Sequence, residues 1–80
     1  MDMREAVAER IVGLCKEKKI TPNALSYIAG VPQSTIKSIL NNESKNPGVV
    51  TIKRICDGLG ISVPDFFDTD VFRCLEQEIE

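Results

Sequence analysis

Apolar residues recur along most of this chain at offsets of three and four, the spacing that puts side chains on one face of an α-helix. Val7, Ile11, Leu14 and Cys15 form one such stripe and predict a first helix from about Arg4 to Lys18. Its last turn carries Lys16 and Lys18, with Lys19 beyond, which suits the negative end of a helix dipole. Gly13 weakens that helix, and its presence is expected to mark close packing by a neighbour. Ile20 anchors the link to a second helix. There Thr21 can accept a bond from an orphan N–H, and Pro22 loses nothing at the first helical position. Leu25, Ile28 and Ala29 are its expected inner face. Gly30 can take the positive φ of a sharp turn, and Ile36, Ile39 and Leu40 predict a third helix after Val31 and Pro32.

The pattern continues to Phe67. A loop rich in turn formers, Asn41 to Gly48, precedes a fourth helix over about Val49 to Leu59, with Ile52, Ile55, Cys56 and Leu59 inward and Gly60 as its stop. Ser62 with Asp65 three positions on resembles a capping box, so a short fifth helix is expected to bring Phe66 and Phe67 into the core. Thr69 or Asp70 can cap a final helix with Val71, Phe72, Leu75 and Ile79 on one side and Arg73, Glu76 and Glu80 on the other. The expectation is all-α: a compact five-helix domain over residues 1–67 and a C-terminal helical extension over 68–80.

Two short helices joined by a tight glycine turn, Thr21 to Leu40, are a common way to carry one helix into the major groove of DNA. The outer face of the third helix is Gln33, Ser34, Lys37, Ser38 and Asn41. A merely solvated helix face usually holds more Glu and Lys; these are groups that read base edges.

Through Leu25, Ala29, Gly30, Val31, Ile36 and Ile39 the segment resembles the phage-repressor (Cro-like, xenobiotic-response-element) helix-turn-helix family. The likeness runs on through Asn46-Pro47 to GLGISVPDFF, Gly58 to Phe67, so it spans roughly residues 8 to 67. It implies a transcriptional regulator, expected to be a repressor, that binds double-stranded DNA sequence-specifically and reads the major groove with residues 33–41. Gln33 then pairs bidentately with adenine N6 and N7, and Ser34, Lys37 and Ser38 are the other base readers. Thr21, Thr35, Asn41, Lys45 and Asn46 are the implied phosphate contacts. Members usually bind as homodimers, and the stripe Val71, Phe72, Leu75 and Ile79 is the candidate dimer contact.

The chain departs from the family at several points. Many members pair a buried arginine in the first helix with a glutamate ending the recognition helix; Cys15 and Leu40 stand at those positions. Losing one partner strands a charge at a cost of about 3–5 kcal/mol, whereas losing both can be neutral, so Cys15 and Leu40 are expected to touch within about 4.5 Å. Pro22 replaces a glutamine that grips phosphate, Ser26 a small alanine, and Asn42 a glycine that turns the chain left-handed.

Composition changes this picture little. Eighty residues with 42% apolar side chains make one small domain. No window is long enough to span a membrane, and the charged start MDMREAVAER does not resemble a signal peptide, so a cytoplasmic location is expected. With three cysteines, no CxxC spacing and no histidine, no metal or other cofactor is expected, and the thiols are expected to be reduced and partly buried. A net charge of −2 runs against DNA binding, but the charge is unevenly distributed. Lys16, Lys18, Lys19, Lys37, Lys45, Lys53 and Arg54 against Glu17 and Glu43 give residues 16–54 a net of +5, while residues 55–80 carry −6. Local potential governs attraction to phosphate. An enzyme is not expected: histidine, a glycine-rich phosphate loop and a nucleophile elbow are all missing. The competing reading is a protein-interaction module, an antitoxin or anti-repressor, that holds a protein partner with the acidic C-terminal stripe.

Overall fold

The computed structural model describes residues 1–43 and 46–79. Within them the chain forms six helices: α1 (Met3–Lys18), α2 (Pro22–Ala29), α3 (Gln33–Leu40), α4 (Val49–Leu59), α5 (Val63–Phe67) and α6 (Asp70–Arg73). Helix α1 starts at Met3, one residue before the expected Arg4, and is capped by the Asp2 carboxylate, which accepts from the Glu5 N–H (2.8 Å). It ends on Lys19 in the left-handed region (φ 57°), where the Lys19 and Ile20 N–H groups close onto the Lys16 and Cys15 carbonyls.

Two of the predicted caps form. Thr21 Oγ1 accepts from the Ala24 N–H (3.1 Å) and Ser62 Oγ from the Asp65 N–H (3.1 Å). Gly30 (φ 66°) and Gly60 (φ 72°) turn the chain left-handed, and so does Asn42 (φ 57°).

The core is the interior that the spacing implied. Val7, Ile11, Leu14, Cys15, Leu25, Ile36, Ile39, Ile52, Ile55, Cys56, Leu59 and Phe66 are buried together. Leu40 packs against this cluster from the end of α3, and Cys15 belongs to it. Helix α2 lies across α4, and α1 against α3.

Four expectations need correction. Ile28 is 54% exposed, and Ser26 takes the inward position beside Leu25 and Ala29. At 100° per residue Ile28 falls about 100° from the centre of that stripe. Ser26 is tolerated inside because its Oγ donates to the Asn23 carbonyl (3.0 Å). Gly13 is not a packing point: a Cβ there would meet nothing within 4 Å. The close approach is at Gly58, where a Cβ would lie 3.0 Å from the Ala29 backbone, so glycine is what lets α4 press on α2.

The last two corrections concern the C-terminus. Helix α6 is a single turn, and residues 75–79 are irregular. Thr69 stands at its N-cap but makes no capping bond. The expected stripe therefore divides: Phe72 packs on the chain's own core, edge-on to Phe67 with ring centres 4.9 Å apart, while Val71 and Ile79 are exposed. Cys74 is exposed beyond the helix, unlike buried Cys15 and Cys56. Glu80 lies outside the described residues.

Candidate nucleic-acid interface

Helix α3 is positioned by Ile36 and Ile39, both fully buried, which turn Gln33, Ser34 and Lys37 to solvent. Its N-terminus is open. Pro32 at the N-cap offers no side-chain acceptor, so the Gln33 and Ser34 N–H groups have no bonding partner among the described residues. Open donors at the positive end of a helix favour an anion or an acceptor edge.

A groove of about 520 Å³ runs along α3 from this end to its C-cap, beside the start of α2. Gln33, Ser34, Lys37 and Asn41 line it together with Pro22, Asn23, Ile36 and Leu40. Lys37 is the one charged side chain among those lining residues, so the groove is weakly positive and rich in amides and hydroxyls. The structure thus gathers four of the residues singled out from the sequence.

The others lie elsewhere. Ser38 and Thr35 are half-buried on the flanks of α3. The Thr21 hydroxyl oxygen is engaged in capping α2, which leaves its proton free to donate. Asn46 is exposed and lines a second groove beside α1. Lys45 lies outside the described residues.

Sequence reasoning missed two features. Asn23 enters the α2–α3 groove next to Pro22; its offset from the cap carried that information, but the missing glutamine drew attention to Pro22 instead. Arg10 is the second. It ties α1 to α5, donating from Nε to the Phe66 carbonyl (2.9 Å) and from Nη2 to the Asp65 carbonyl (3.0 Å). No local signal identifies such a contact across 55 residues.

Burial pushes the Cys15 and Cys56 thiols up from their ordinary value of 9.0, and the Asp57 carboxylate adds to the effect on Cys56. Both are therefore neutral packing groups rather than nucleophiles at neutral pH. Among the described residues no group of three or more His, Cys, Asp and Glu side chains could hold a metal, and no helix is long and apolar enough to cross a membrane.

Comparison with known proteins agrees with this geometry. The chain is similar to the crystal structure of the prophage Lp1 protein 11, with 37% identity and a TM-score of 0.81 over 90% of this chain and 96% of that one. No curated protein matches it. Residues 10–71 match the Cro/C1-type HTH DNA-binding domain, which takes in the α2–α3 pair, the open end of α3 and the Arg10 tie to α5. The chain belongs to the Cro/C1-type helix-turn-helix family of DNA-binding transcriptional regulators.

Proposed function

We propose that this regulator is a cytoplasmic repressor that binds double-stranded DNA sequence-specifically by laying the N-terminal half of α3 in the major groove. The observation that carries the proposal is the α2–α3 groove, where Gln33, Ser34, Lys37 and Asn41 line one side of α3 from its open N-terminus, with two unbonded N–H donors, to its C-cap.

Gln33 presents an amide that matches the acceptor–donor pair of adenine N7 and N6. Ser34 and Ser38 can serve either a donor or an acceptor, and Lys37 reaches guanine O6/N7 or a neighbouring phosphate. Thr21, Thr35, Asn41, Lys45 and Asn46 set the register on the backbone. Pro22 gives no side-chain grip, so the phosphate hold depends on these short polar groups. Repression then follows from occupancy, the bound protein excluding other proteins from the same stretch of DNA.

One reader of this size covers few base pairs, so two copies bind half-sites about 34 Å apart. Of the C-terminal stripe expected to make that contact, Phe72 packs on the chain's own core while Val71 and Ile79 stay exposed. Selection of bound duplexes from a random pool tests the reading, run in parallel for the wild type and Gln33→Ala. An enriched site for the wild type, relaxed at one base pair in the variant, supports it; no enriched site at near-physiological salt overturns it.

A further inference from the structure

The second groove, about 550 Å³, lies between the start of α1 and the start of α4. Arg4, Asn46, Pro47, Val49 and Glu78 are among its lining residues. Glu78 belongs to the irregular tail after α6, yet its Oε2 accepts from the Met3 N–H (3.1 Å), a bond spanning 75 residues. Met3 is the first residue of α1, and Asp2 already serves the Glu5 N–H, so Glu78 takes an orphan donor at the positive end of that helix.

The Arg4 guanidinium on the same groove has Asp2 at 3.6 Å, and its buried Nε has no acceptor among the described residues. One groove therefore holds a cation short of partners, a tail carboxylate fixed on the α1 end, and Asn46 from the loop assigned to the DNA backbone. A phosphate brought to Asn46 meets the charge of Glu78 at close range, where repulsion is least screened.

We propose that residues 75–79 form an acidic strap, anchored through Glu78 on α1, that competes with the DNA backbone for this groove and holds down the protein's affinity. Release of the strap frees the Met3 N–H and takes the Glu78 charge out of the groove that Arg4 also lines. The proposal rests on the DNA-backbone role of Asn46 given above.

The test uses the full-length protein and a duplex enriched by the selection described. Glu78→Ala is expected to tighten binding about three- to fivefold at 50 mM salt, with the gain fading above about 0.3 M. Glu76→Ala removes the same charge from a tail position outside the groove lining and is expected to change binding by less than about 1.5-fold. Exchange of the Met3 amide proton, followed by NMR without DNA, is expected to accelerate in Glu78→Ala and stay unchanged in Glu76→Ala.

Equal gains from both variants, or an unchanged affinity in Glu78→Ala, overturn the strap, as does a Met3 amide indifferent to Glu78. Failure of every variant and the wild type to bind any duplex defeats the DNA reading and the strap's role together. Duplex binding that ignores Glu78 defeats the strap alone.

Discussion

Gln33 is exposed, so Gln33→Ala should leave the melting temperature nearly unchanged and report on binding alone. The expected loss at the preferred base pair is about 1–3 kcal/mol, measured as the affinity ratio between cognate and single-substituted duplexes. The two glycines that local reading ranked wrongly separate in the opposite sense. Gly13→Ala should stabilise by about 0.5–1 kcal/mol, since the new methyl meets nothing and the helix gains propensity. Gly58→Ala should destabilise, because its methyl would lie 3.0 Å from the Ala29 backbone and α4 would have to back away. Denaturant melts of both variants check the pair of signs. Cys15→Arg alone should cost about 3–5 kcal/mol, and adding Leu40→Glu should recover much of it if the two positions adjoin as their joint departure implies. An additive double variant would count against that adjacency.

At the scale of elements, the starts and stops of α2, α4 and α5 were legible where their cause lay within four residues, while the Asp2 cap and Lys19 stop of α1 were not. Thr21, Ser62, Gly30, Gly60 and Asn42 do what their side chains and backbone freedom imply. Removing the α2 cap with Thr21→Ala should cost about 1 kcal/mol in a denaturant melt. The α1–α5 tie is different in kind. Arg10→Met should cost about 1–3 kcal/mol by leaving the Phe66 carbonyl without a donor and taking one of two from the Asp65 carbonyl, although nothing near Arg10 in the chain announces that role. The final helix was over-extended for a related reason. The offsets of Val71, Phe72, Leu75 and Ile79 fit a helix, but Phe72 is drawn onto Phe66 and Phe67, and the chain turns at Cys74 to bring Glu78 to α1.

For the molecule as a whole, charge and burial set the expected responses to salt and pH. The α2–α3 groove holds Lys37 as its one charged lining residue, so log K against log salt should fall with a slope shallower than about −8. Stability should decline as the pH climbs above about 9. Burial raises the Cys15 and Cys56 thiols, so the unfolded chain ionises there first and releases protons the folded chain retains; linkage then favours unfolding. Thermal melts from pH 7 to 10 check this, and Cys15→Ala should flatten the decline. Light scattering with and without a duplex carrying two half-sites measures whether pairing of copies needs DNA.

Helix spacing, caps and the polar outer face of α3 were determined by the sequence itself, because each depends on bonds or periodicity within a turn or two of chain. The core followed from the same periodicity, since only one set of faces could be buried together. Tertiary structure decided which glycine permits close approach, which way α2 is rotated, what Arg10 holds and where the tail lies. Those outcomes depend on surfaces brought together from distant parts of the chain, as Gly58 is to Ala29 and Glu78 to Met3. The polar side chains proposed to read DNA stand in order along α3; that Gln33, Ser34 and Lys37 share one groove with the start of α2 is a property of the packed helices alone.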